Sequence, residues 1–175
     1  MNHDAYDNEY IRGILKSVKT IAMVGASDNP ARPSYLVFKY LLERGFRVFP
    51  VNPGRAGREM LGQPFVAALS DIGEPIDMVD IFRNSEAAGA VVDEALAMHP
   101  LPKVIWMQLT VRNDEAAARA EAKGLKVVMN RCPKIEYGRL SGEIGWQGVN
   151  SRILSSKRPA LSTKGFQKLT LDRKM

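Results

Sequence analysis

Ile21-Ala22-Met23-Val24-Gly25-Ala26-Ser27-Asp28-Asn29-Pro30 is the stretch whose reading decides the fold. Four apolar residues run into a Gly-Ala-Ser loop, and proline, basic residues and apolar positions at helical spacing follow. A strand that turns through small residues into a helix aims backbone N–H groups and a helix N-terminus at one point, where a phosphate fits. The pattern Gly-x-Ser-x-x-Pro suggests a nucleotide-like ligand without saying which one, because it is less specific than a full Gly-x-Gly-x-x-Gly.

Outward from this loop, strand and helix patterns alternate. Tyr10, Ile11, Ile14, Leu15 and Val18 predict an N-terminal helix over 6–18. Residues 35–44 read as a helix closed by Gly45, and 46–51 as a second strand ended by Asn52-Pro53-Gly54. The 54–75 segment, with its glycines and prolines, predicts a small strand and a short helix near Val66–Leu69. Strands follow at 78–82, 103–107 and 125–129, with helices at 86–98 and 114–123 between them. Such alternation means parallel βαβ units, and right-handed crossovers favour an α/β, Rossmann-like, doubly wound five-stranded parallel sheet with an N-terminal helix. The expected strand order is 3-2-1-4-5.

The 175 residues fit one domain over 1–140 and a basic, partly extended C-terminal tail over 141–175. The net charge of +6 lies in residues 151–175, where seven basic residues face Asp172 alone. The remaining 150 residues carry 18 basic and 18 acidic side chains, so the fold itself presents no excess of charge to nucleic acid. No apolar run approaches the roughly 20 residues of a membrane span. The polar start, Met1 to Tyr6, does not resemble a signal peptide, and a single cysteine allows no internal disulfide, so the expected compartment is the cytoplasm.

In an open parallel sheet, ligands bind outside the carboxyl ends of the strands. The residues there are Gly25-Ala26-Ser27, Asn52-Pro53, Phe82-Arg83, Gln108 and Asn130-Arg131-Cys132. Folds that bind NAD place an acid at the second strand end, for the ribose hydroxyls. Here Asn52 occupies it, with Arg55 and Arg58 close behind. A neutral amide beside cations suits a ribose that carries an extra phosphate, as in coenzyme A or NADP.

The series Val24-Gly25-Ala26-Ser27, Pro30-x-Arg32-x-Ser34, Val51-Asn52-Pro53, Asp80-Ile81-Phe82-Arg83, Trp106-x-Gln108 and Arg131-Cys132-Pro133 resembles the small stand-alone CoA-binding proteins. These in turn are similar to the CoA-binding domain of succinyl-CoA synthetase and of NDP-forming acyl-CoA synthetases. The resemblance covers roughly residues 10–140 and implies that CoA or an acyl-CoA is the bound molecule. It implies a pyrophosphate near Gly25, Ala26, Ser27 and Pro30, with Arg32 and Ser34 as further polar contacts. Val51, Asn52 and Pro53 would flank the adenosine, and Phe82, Arg83 and Gln108 the pantetheine arm. One departure is the Leu109-Thr110 pair after Gln108, where the family has glycine.

The usual catalytic sets are missing. His3 falls in an expectedly mobile terminus and His99 at a helix end, Asp77 and Asp80 form no evident acid–base pair, and no zinc-ligand spacing occurs. Phe82 and Trp106 read as core aromatics. Cys132 reads first as a plain buried or semi-buried cysteine; the alternative is that Arg131 and Lys134 lower its pKa and place a reactive thiol near the CoA sulfur. The resemblance implies no ligase activity, since such synthetases also need a phosphohistidine segment and an ATP-grasp domain. The expectation is a non-catalytic regulatory or carrier module, with an unidentified protein partner and a homodimer built on the N-terminal helix and the 54–75 segment. The competing reading is a short NADP-dependent oxidoreductase with Tyr137 or Lys134 as proton donor.

Overall fold

The computed structural model describes residues 2–142, so nearly all of the expected basic tail lies outside the described residues. The N-terminal helix α1 spans Asn8–Ser17, with the Asp7 carboxylate accepting from Glu9 N–H as its N-cap, and leads into β1, Thr20–Val24. Helix α2, Pro33–Glu43, opens on proline at its first position and gives way to Gly45 at φ 84°, before β2 at Arg47–Val51. The rest runs β5 (Met78–Ile81), α3 (Ser85–Leu96), β6 (Val104–Met107), α4 (Asp114–Ala122), β7 (Lys126–Val128) and α5 (Pro133–Ser141), after a short β3–β4 hairpin at Glu59–Met60 and Gln63–Pro64.

Five parallel strands pair in the order β2-β1-β5-β6-β7. The expected order 3-2-1-4-5, which put the 78–82 strand outside β2, is not the one found: β5 pairs with β1, because the 54–75 segment takes the place beside β2, where it makes one parallel bridge between Val51 and Val66. There Asn52 N–H donates to Val66 O and Val66 N–H to Pro50 O. The bridge cannot lengthen into a ladder, because the chain just before it turns back as a tight hairpin through Leu61 and Gly62, and Pro64 has no N–H to offer.

The core strands are apolar on both faces because helices cover both. Ala22, Val79, Ile81, Ile105 and Val127 face α3 and α4, whose alanines allow close packing on the sheet. Ile21, Met23, Met78 and Trp106 face α1, α2 and α5. Helix α5 had no clear sequence pattern, since Lys134, Glu136, Gly138 and Arg139 interrupt its apolar positions. Its legible marks are at its ends: Pro133 at the start and Gly142, at φ 85°, just past the finish. Among the described residues no helix is long and apolar enough to cross a membrane.

Strand β7 is an edge whose free backbone is covered by tyrosines rather than by another strand. Tyr10 Oη donates to Val127 O and accepts from Val127 N–H, both at 3.2 Å. Tyr6 Oη accepts from Met129 N–H at 2.7 Å. His3, expected in a mobile terminus, instead packs here, its Nδ1 at 2.9 Å from Tyr6 Oη and its Nε2 at 3.5 Å from Glu121. Burial pushes the Tyr10 phenol up to about 12, so both hydroxyls keep their protons at ordinary pH. Tyr10→Phe leaves two strand groups without this partner and is expected to cost about 1–2 kcal/mol in urea unfolding. Unchanged stability would show that the hydroxyl does not secure the edge.

Candidate functional site

Three strand ends meet at Gly25. Its N–H donates to Val51 O at 2.9 Å, and Phe82 N–H donates to Val24 O at 2.8 Å, so the loop after β1 is tied to β2 on one side and β5 on the other. Gly25 has φ +86°, and a Cβ there would stand 2.6 Å from Phe82 O and 3.0 Å from Arg83 Cδ. Only glycine fits this closeness.

The loop beyond is held by its own side chains. Ser34, buried in the first turn of α2, accepts Ser27 N–H on its hydroxyl at 3.2 Å. Ser27 Oγ accepts from Asn29 N–H at 3.3 Å, and Asn29 Oδ1 from Ala31 N–H at 3.0 Å. The Asp28 N–H takes no partner among the described residues and lies in the half-buried loop, whereas Ala26 is fully buried.

Asn52 bolts the two loops together. Its Nδ2 donates to Ala26 O at 2.8 Å, and its Oδ1 accepts from Gly54 N–H at 3.0 Å. An aspartate could make the second bond but not the first, since an ionised carboxylate has no proton to donate. The asparagine that argued against an NAD site is therefore required by the protein's own loops.

Gly25, Ser27, Arg32, Ser34, Asn52 and Phe82 line one cleft of about 410 Å³, together with Pro33 and Arg55. Of the other expected site residues, Ala26 and Val51 are buried. Pro30 and Pro53 sit exposed in the two loops, and Arg83 lies with its Cδ against Gly25. Phe82, expected in the core, is half-buried at the cleft wall, whereas Trp106 is a core residue whose indole N–H donates to Arg131 O at 2.8 Å. Arg55 and Arg58 do not stand open: Asp28 forms an ion pair with the first and lies 3.4 Å from the second. Four arginines, at 32, 55, 58 and 83, still outnumber that one carboxylate, so the neighbourhood attracts anions.

Gln108 is not brought to this cleft. It is 5% exposed, and its amide Nε2 turns inward to donate to both Asp80 oxygens, at 3.0 and 3.2 Å.

A family model described as a CoA binding domain matches residues 19–138. The chain belongs to this CoA-binding domain family. A Bacillus subtilis relative, the uncharacterized protein YneT, is 39% identical over 127 residues, covering 73% of this chain and 91% of YneT. A solved hypothetical protein from Pyrococcus horikoshii OT3 is 39% identical with a TM-score of 0.74, over 81% of this chain and 97% of that one. The dinucleotide forming acetyl-coenzyme A synthetase 1 of Ca. Korarchaeum cryptofilum, solved with phosphate and ADP, matches at 25% identity and TM-score 0.56. That match covers 64% of this chain but only 26% of the synthetase.

In this CoA-binding domain a second polar cluster lies beneath the sheet's carboxyl edge, built on Asp80, to which sequence reasoning had assigned no role. Asp80 is fully buried on β5, with Met23 and Trp106 beside it on the neighbouring strands. Burial raises its carboxyl to about 8, against the partial relief of the Gln108 hydrogen bond, so Asp80 holds its proton at neutral pH. Its one sequence signal is an acid in the middle of an apolar strand. Cys132 faces the same cluster from the start of α5. Burial pushes its thiol up, overriding the effect of Lys134, in line with the plain buried cysteine read first from the sequence rather than with the reactive alternative.

The folded carboxyl of Asp80 titrates above its unfolded value of about 3.9, so folding takes up a proton between the two. Stability contributed by this group therefore falls as pH rises from about 4 to about 8, then levels. The neutral variant Asp80→Asn removes that dependence. The difference in unfolding free energy between variant and parent should shift in the variant's favour between pH 5 and pH 9, by on the order of a few kcal/mol. A difference independent of pH would contradict the raised pKa.

Proposed function

We propose that the cleft outside β1 and β2 binds coenzyme A or an acyl-CoA without catalysing chemistry on it, and that the protein acts as a regulatory or carrier module. The observation that carries this reading is the match to the CoA-binding domain model across the residues that build the cleft. Local chemistry supports it. Gly25 lets the backbone approach a pyrophosphate closely, Asp28 offers a free N–H group, and the Arg32 guanidinium has no partner among the described residues. Arg55 and Arg58, with Asp28 between them, suit a ribose phosphate at the second strand end. The cleft accommodates the adenosine diphosphate portion, and the pantetheine arm would leave along Phe82 and Arg83. Gln108 would sit at the far end of that path.

The NADP-dependent alternative draws no comparable support. Tyr137 packs edge-on against Tyr40 and Phe46, near the N-terminal end of β2, and Lys134 Nζ lies over the Tyr40 ring. Neither proposed proton donor is at the cleft. A carrier or regulator acts on a second protein, and we assign such contacts, or a homodimer, to the N-terminal helix and the 54–75 segment, whose hairpin tip Leu61 is exposed.

Calorimetric titration of the full chain tests the reading. CoA or acetyl-CoA should bind more tightly than NAD or NADP, and dephospho-CoA about tenfold more weakly than CoA, the cost of roughly one charge-assisted contact. Gly25→Ala should weaken CoA at least tenfold. The absence of heat with every CoA species would overturn the proposal.

A further inference from the structure

The opposite edge of the sheet carries a second concavity, larger than the cleft, with a volume of about 560 Å³. It opens where Val18 and Lys19 enter β1 and Gly45 and Phe46 enter β2, between the end of α1 and the end of α5. Five residues of β1, about 16 Å of chain, separate this edge from the Gly25 loop. The floor is apolar: Val18 and Phe46 are buried core residues, and Leu140 packs against the same cluster. Tyr137 closes the back, its ring edge-on to Phe46 at 5.9 Å.

The rim is of one sign. Arg12, Lys16, Lys19 and Arg44 line the opening, Arg12 in an ion pair with Glu9 outside the lining, and among the described residues none of the lining side chains is acidic. Lys16 and Lys19 are exposed at their positions, and Arg44 lies over the Tyr40 ring at 4.6 Å. The combination differs from the CoA-type cleft, where backbone N–H groups and polar side chains dominate. An apolar floor of ligand-site size with a purely cationic rim complements a molecule with a hydrocarbon body and one anionic end.

We propose that this groove is a binding site for a straight-chain fatty carboxylate, with the alkyl chain on Val18, Phe46 and Leu140 and the carboxylate at Lys16 and Lys19. The site stands independently of the CoA reading, because it shares no residue with that cleft. Snorkelling lysines can cover apolar surface while holding their charge at the rim, so the carboxylate is met without taking a cation out of water.

Calorimetric titration of the full chain with decanoate, decanol and decylammonium separates the terms without altering the protein. Decanoate should bind saturably at one site, at least tenfold more tightly than decanol, and decylammonium more weakly still. Raising the salt concentration should narrow the gap between decanoate and decanol. The double variant Lys16→Glu with Lys19→Glu, on exposed side chains, should weaken decanoate at least tenfold and leave CoA affinity unchanged. Equal binding of decanoate and decanol, no saturable heat with decanoate, or competition between decanoate and CoA would overturn the proposal.

Discussion

The contact on which the site depends is the approach of the Gly25 backbone to the carbonyl of Phe82. A methyl group at Gly25 would meet that oxygen at 2.6 Å. The closeness follows from the parallel sheet: β1 lies between β2 and β5, so the chain leaving β1 must pass between two other strand ends. The junction is tied on both sides, by the Gly25 N–H to Val51 O and, one residue earlier, by the Phe82 N–H to Val24 O. A left-handed backbone at that point then turns the loop back toward α2.

From that junction the remaining features follow in sequence. The loop carries Ser27 to where the buried Ser34 hydroxyl can accept its N–H, and Asn52 reaches across to the Ala26 carbonyl. These bonds occupy the side chains that a first reading would aim at a ligand. What remains open is backbone N–H and guanidinium, groups suited to phosphate oxygens. Asp28 tempers the arginines and holds Arg55 in place, so the cationic surface is organised rather than loose. Rigid donors around a preformed cleft lower the ordering cost of binding.

Much of this fold was legible because its strands are buried on both faces. Ile21–Val24 and Val104–Met107 read as continuous apolar runs, and the intervening helices kept a helical period. Helix α5 was not legible, since four polar or glycine positions break its stripe and its evidence lies only in Pro133 and Gly142. The strand order was not legible: the 54–75 segment, with its hairpin and the Val51–Val66 bridge, takes the place outside β2, and the 78–82 strand pairs with β1 instead. At the site, Gly25, Ser27, Asn52 and Phe82 were found at one cleft, as their positions at strand ends implied, together with Arg32 and Ser34, which the family resemblance had added. The partners that fix them were hidden, because a contact such as Asn52 to Ala26 or Arg55 to Asp28 spans more than twenty residues. Gln108 shows the limit most plainly. Its position at a strand end was right, but the buried acid across from it turned the amide inward.

The central claim is that this cleft holds the adenosine diphosphate of CoA. The most direct measurement is diffraction from crystals of the full chain grown with CoA. The account predicts pyrophosphate density against Gly25, Ala26 and Arg32, with the ribose phosphate toward Arg55 and Arg58. Ordered CoA bound elsewhere on the fold, with this cleft empty, would contradict it.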